Sequence, residues 1–231
     1  MVIVQHFPGS VNDYITAVMA GLLVCTLPEC CPHPDCQAGH CLIRWGYYKR
    51  WLYTADTEYL LRVQRLRCKV CGRTHSLLPD FVHPHRRYTL DLQQQVILWY
   101  VLSGLSWERV TANLAETGKA HPARSTAREW VSAFVQGAGE RLLDPLQRHL
   151  MALDPLVELP DSSAPRLDRV KEPAKRRGLE HAHRFWLLAE RLYAQIKARL
   201  PRLHFSAQQL FPFLLHWLQS QHLPPRLFWA A

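Results

Sequence analysis

Two cysteine pairs, Cys31-x4-Cys36 and Cys68-x2-Cys71, flank a segment of 31 residues, and any fold of this chain must answer to them. A turn carrying two cysteines presents both sulfurs to one metal, and two such turns complete the tetrahedral thiolate set that zinc prefers. Gly72 lets the backbone fold beneath the second pair, and Pro32 follows Cys31 directly. The chain carries seven cysteines and no transmembrane or secretory pattern, so a reducing compartment and metal binding are expected before disulfides. Cys31, Cys36, Cys68 and Cys71 are therefore the expected ligands of one structural Zn2+. Cys30, His33, His40 and Cys41 lie in the same first loop and remain alternative ligands. Cys25, Cys30 and Cys41 otherwise read as small buried residues. No open coordination position or water-activating neighbour is evident, so chemistry at the metal is not expected.

The segment between the pairs reads as a hairpin. Period-2 alternation marks Leu42 to Tyr53 and Glu58 to Arg67 as strands, with a turn at 54–57 and a further short strand near Ser76 to Leu78. Val2 to Gln5 suggests another strand, and Val11 to Val24 a helix. Trp45, Tyr47 and Trp51 are expected on the core face of the hairpin. Arg44, Tyr48, Lys49 and Arg50 then point outward, with Arg62, Arg67, Lys69 and Arg73.

Beyond Pro84 the pattern turns helical. Leu90 to Leu102 places Leu92, Val96, Trp99, Tyr100 and Leu102 on one side, Ser106 caps a helix from Trp107 to Glu116, and Ser125 is expected to cap another from Thr126 to at least Phe134. Gly137 and Gly139 weaken its continuation to His149. The expected fold class is α+β, mainly α. It comprises an N-terminal strand and helix (1–27), a small antiparallel zinc ribbon (28–88), a helix-turn-helix domain (89–150), a linker (151–178) and C-terminal helices (179–231).

Charge points to the partner. The net charge is +9, concentrated as +7 in residues 42–87 and +7 in 161–231. Two basic blocks around a nearly neutral middle suit a polyanion, here double-stranded DNA. In a helix-turn-helix the last helix would present Arg124, Ser125, Thr126, Arg128 and Glu129 to DNA and keep Ala127, Trp130, Val131 and Phe134 inward. An arginine there can grip guanine with two hydrogen bonds. The aromatics of the last 28 residues, among them Phe205, Phe211, Phe213, Trp217, Phe228 and Trp229, suggest a helical core or a docking surface. A transposase or a second copy of the chain is the partner expected through residues 179–231.

The run Cys31-Pro32…Cys36, His40, 46–50 (Gly-Tyr-Tyr-Lys-Arg), 65–75 (Arg-Leu-Arg-Cys-Lys-Val-Cys-Gly-Arg-Thr-His) and Leu77-Leu78-Pro79 resembles a bacterial domain-of-unknown-function family. That family is itself similar to the N-terminal zinc-ribbon and helix-turn-helix region of insertion-sequence transposases. Residues 103–110 and 125–130 fit the same module, so the resemblance spans 2–137. It departs at Cys31-x4-Cys36, where x2 spacing is commoner. The resemblance implies a sequence-specific DNA-binding protein of a mobile element, cytoplasmic and nucleoid-associated, as accessory factor or regulator. Asp144, Asp154, Asp161, Asp168 and Glu190 lack the strand context that a two-metal nuclease needs, so no catalysis is expected. A catalytic transposase fragment, a protein-interaction module and an RNA binder are the alternatives.

Overall fold

The computed structural model describes residues 2–7, 9–21, 26–54, 57–84, 86–116, 122–161, 164–165, 167–203, 205–206, 209–221 and 223. Cys25, His85, the tip of the 54–57 turn, residues 117–121 between the two expected helices, His204, Phe228 and Trp229 lie outside the described residues. The chain divides into two compact units, residues 1–90 and 91–231. It is a mixed α/β structure: among the described residues a four-stranded sheet lies in the first unit and the second unit is helical.

The first unit contains β1 (Val2–Gln5), α1 (Val11–Met19), β2 (Leu42–Tyr53), β3 (Glu58–Cys68) and β4 (Thr74–Pro79), with sheet order β1-β4-β3-β2. β2, β3 and β4 pair antiparallel, whereas β1 runs parallel to β4. Ser10 and Asp13 form a reciprocal capping box that starts α1. The helix stops at Met19, short of Val24, and Gly21 follows with φ +67°, a conformation that ends helices cheaply only at glycine.

The hairpin differs from simple alternation at one point. Arg44 pairs with Leu66 but Tyr47 pairs with Gln64, so β2 holds one extra residue, and Gly46 in that bulge has φ +88°. Beyond the bulge, Leu52 faces the core with Leu61 and Val63. There Tyr14 and Phe81 complete the cluster, and Val11, Ile15 and Val18 of α1 pack against it. Trp45, Tyr47 and Trp51 are not core residues, correcting the alternation-based expectation: they are 48%, 52% and 43% exposed. Beyond the shift Arg50 pairs with Leu61 and Leu52 with Tyr59, so the even positions of β2 share the face covered by α1, and Tyr47 and Trp51, opposite Gln64 and Leu60, face the other way.

The second unit is a helical assembly. α2 (Leu90–Ile97) continues through a π-helical turn, Leu98–Leu102, and is followed by α3 (Trp107–Glu116) and α4 (Arg124–Phe134). A longer π-helical stretch, Val135–Leu142, joins α4 to α5 (Leu143–Leu153), and α6 (Pro173–Arg199) and α7 (Leu210–Ser220) complete it. α4 starts before Thr126, and Ser125 is not its cap. Ala123 holds the extended cap position without a side-chain bond, and its carbonyl already accepts from the Ala127 amide at 3.0 Å. The expected linker is partly helix, since Pro173 occupies the first position of α6, where its missing N–H costs nothing. Lys175 and Arg176 therefore lie on α6, paired with Glu172 and Glu180.

Phe134 anchors this unit's core, with ring centroids 5.8, 6.1 and 5.6 Å from those of Phe185, Trp186 and Phe211. Phe211, Phe213 and Trp217 are buried, so these aromatics of the C-terminal region form a core and not an exposed docking surface. Gly139 is where α6 passes: a Cβ there would lie 2.9 Å from the Ala182 backbone nitrogen. Gly137 and Gly139, which weaken the helix by propensity, both sit in the π-helical stretch, and at Gly139 the neighbouring helix requires the backbone to be bare. Among the described residues no helix is long and apolar enough to cross a membrane.

Candidate metal centre and the open hairpin face

Two knuckles build the metal centre. In the first, the Cys31 amide donates to the Ala38 carbonyl, and the amides of Cys36 and Gln37 donate to the His33 carbonyl. Gln37 and His40 take positive φ values of 44° and 48°, which accommodates the longer x4 spacing inside a tight loop. In the second, the Gly72 amide donates to the Cys68 carbonyl at 3.0 Å and Gly72 has φ +72°. The Lys69 amide reaches the Cys41 carbonyl at 2.9 Å and ties the knuckles together.

The four expected sulfurs, those of Cys31, Cys36, Cys68 and Cys71, lie within 4.8 Å of one another and could hold a metal ion. Cys31 and Cys71 sulfurs are 3.8 Å apart, and those of Cys36 and Cys68 are 3.7 Å apart. A tetrahedron of thiolates around zinc at about 2.3 Å has edges of about 3.8 Å, so the spacing fits a four-sulfur site. Burial pushes the Cys31 thiol up to about 12, whereas the Cys71 amide, donating to the Cys68 sulfur, leads the groups that bring Cys68 down to about 6. A divalent cation reverses the burial effect, because its charge favours the thiolate outright.

Cys41, an alternative ligand by its place in the first loop, and His75, which spacing did not single out, also stand at this centre. Cys41, buried, places its sulfur 3.3 Å from that of Cys68 and donates to the Ala38 carbonyl at 2.9 Å, so it supports the quartet from outside. His75, 1% exposed, holds Nε2 3.5 Å from the Cys31 sulfur. Burial lowers its pKa, which favours a neutral ring able to donate an Nε2–H to a ligating sulfur. His75 lies on β4 opposite Leu66, a register the sequence alone does not reveal. Among the other first-loop candidates, Cys30 is exposed, the His33 ring approaches Asp35 at 3.7 Å, and His40 belongs to the loop backbone that bonds Glu29.

The basic candidates separate into distinct groups. Arg50 is not an outward contact, because its guanidinium donates to the carbonyls of His83, Pro84 and Arg86 and anchors the segment after β4. Burial lowers its pKa, as expected for a cation serving as a structural clamp. Arg62 lies 3.9 Å above the Tyr47 ring and Arg67 4.5 Å above the Trp45 ring. Arg44, Tyr48, Lys49, Lys69 and Arg73 carry at least partly exposed side chains. Glu58 is the sole acid in β2 and β3.

On α4, Arg124, Ser125, Arg128 and Glu129 are exposed, Thr126 is half-buried, and Ala127, Trp130, Val131 and Phe134 are buried. Arg124 bonds Glu108 of α3 at 2.9 Å, and Arg128 sits 5.4 Å over the Trp107 ring. The five acids considered for catalysis all fall outside strands, and two have helical or chain-end tasks: Trp186 donates to Glu190, and Gln195 to Asp154.

Residues 31–128 match the family model described as "Domain of unknown function (DUF6431)". The match starts at the first cysteine of the quartet and runs into α4, a shorter span than the 2–137 of the sequence resemblance. No curated protein and no solved structure matches the chain.

Proposed function

We propose that this chain is a non-catalytic, sequence-specific DNA-binding protein in which a structural zinc ion braces a basic ribbon and α3–α4 act as a helix-turn-helix. The observation that carries the reading is the hairpin, where aromatic and cationic side chains are exposed over a strand pair holding a single acid. Such a surface suits phosphates, through its cations, and bases, through its rings. Zinc is the favoured metal because soft, fourfold thiolate ligation suits it, and a set filled entirely by protein leaves no position for chemistry. The metal stabilises the ribbon, and its Lewis acidity is not used.

Arg128 is the residue assigned to base recognition on α4. In the free protein it rests on Trp107, a contact worth about 0.5–1 kcal/mol at an exposed site. A bidentate grip on guanine contributes about 1–3 kcal/mol of discrimination, so the exchange favours the bound state. Arg124 would release Glu108 for a phosphate by the same logic, since exposed ion pairs are weak. The transposase-like resemblance, together with acids scattered away from any strand, supports a mobile-element role as accessory factor or regulator in the cytoplasm and nucleoid.

Selection of bound duplexes from a random pool, with metal content measured on the same preparation, tests the reading. The expected result is about one zinc per chain, one enriched sequence and affinity that falls steeply with salt. Arg128→Ala should relax the preference at one or two positions while leaving the metal in place. An unenriched pool and salt-insensitive binding would refute it, and divalent-metal strand cleavage would replace it with a catalytic one.

A further inference from the structure

The two faces of the hairpin are unequally covered. One face at the level of Leu52, Leu61 and Val63 is closed by Tyr14 and the apolar side of α1. On the opposite face at that level, the register aligns Lys49 with Arg62 and Trp51 with Leu60, and Tyr47 stands two positions before Lys49. Tyr47, Lys49, Trp51, Leu60 and Arg62 are all exposed. Alternation puts Tyr47 and Trp51 about 13 Å apart along one strand, with a cation between them.

We infer that this open face binds unpaired DNA, stacking bases on Tyr47 and Trp51 while Lys49 and Arg62 hold the phosphates. The inference rests on the DNA-binding reading above and specifies which form of DNA this face takes. Bases inside a duplex offer only their edges in the grooves, whereas exposed ring faces on a twisted ribbon match the π-faces of unstacked bases. Arg62 already sits over one face of the Tyr47 ring, 3.9 Å from its centroid, so cation and ring are held side by side. The absence of acids between Leu42 and Tyr53 and between Tyr59 and Cys68 leaves no like charge to repel a backbone. Such a face fits a site where a DNA end is frayed or a duplex locally opened.

The test uses the full chain and fluorescently labelled DNA oligonucleotides of equal length, single-stranded and duplex, at fixed salt, with single-stranded RNA as a third probe. Tyr47→Ala and Trp51→Ala should each weaken single-stranded DNA binding roughly tenfold and change duplex affinity little, as expected for loss of one stacked base. Tyr47→Phe should restore binding, because the ring is retained. Trp45→Ala, altering the ring under Arg67 within the bulge, should have no comparable effect. Unchanged single-stranded affinity in both alanine variants, equal losses in Trp45→Ala, or tighter binding to RNA than to DNA would overturn the inference. With duplex selection intact, that result removes only this assignment; no DNA binding of either form removes the functional reading as well. Metal content and far-UV circular dichroism confirm that each variant is folded.

Discussion

The two units of this chain stabilise themselves by different means. At the metal end of the sheet unit the buried cluster is Cys31, Cys41, Leu42, Leu66 and Cys68, with Ile3, Cys36, Ala38 and Cys71 packed around it. Sulfur does there what hydrocarbon does elsewhere. The helical unit has an aromatic centre instead, in which Phe134, Phe185, Trp186 and Phe211 interlock from three helices. The apolar cluster of the sheet unit sits at the Leu52, Leu61 and Val63 level, so at the cysteine end a metal held by the four sulfurs would supply what hydrocarbon supplies there. The helical unit needs no such aid.

That contrast can be broken most decisively by removing the metal. Chelation, or Cys71→Ser, should abolish metal binding and the hydrogen-exchange protection of β2, β3 and β4, because structural zinc sites supply on the order of 10 kcal/mol of apparent binding free energy. Protection in α4, α5 and α6 should persist. Equal loss in both units would show that the metal holds the whole chain and that the contrast is wrong. Next in size is Phe134→Ala, which should cost about 3–5 kcal/mol in denaturant unfolding of the helical unit while the metal stays bound at full stoichiometry.

The smallest expected effects compare two glycines. Gly139→Val forces a side chain into the Ala182 backbone and should cost about 1–3 kcal/mol. Gly39→Ala, in the loop between Cys36 and Cys41 with nothing within 4 Å of the added carbon, should stay within about 0.5 kcal/mol. Similar costs at both sites would mean that the loop around the metal is packed as tightly as the helices.

Much of the site was legible because its signals are local. The second knuckle reads from Cys68-x2-Cys71-Gly72, since two sulfurs and a left-handed glycine turn are contiguous in sequence. The inward face of α4 reads from Ala127, Trp130, Val131 and Phe134, because helical spacing decides which side chains share a face. The strand limits of β2 followed from its composition and the flanking turns. Its facing did not, because which face of the hairpin is buried depends on where α1 packs, which alternation alone cannot reveal.

The sequence by itself determined which residues are chemically suited to hold a metal, where the hairpin begins and ends, and where positive charge accumulates. Only the tertiary structure decided that Arg50 is a clamp, that Cys41 and His75 stand behind the sulfur quartet, and that Tyr47 and Trp51 face outward. It also decided that a helix passes close enough to require Gly139. The physical reason is the same in each case: spacing along the chain fixes local geometry, but exposure and partners are set by whatever a distant segment brings alongside.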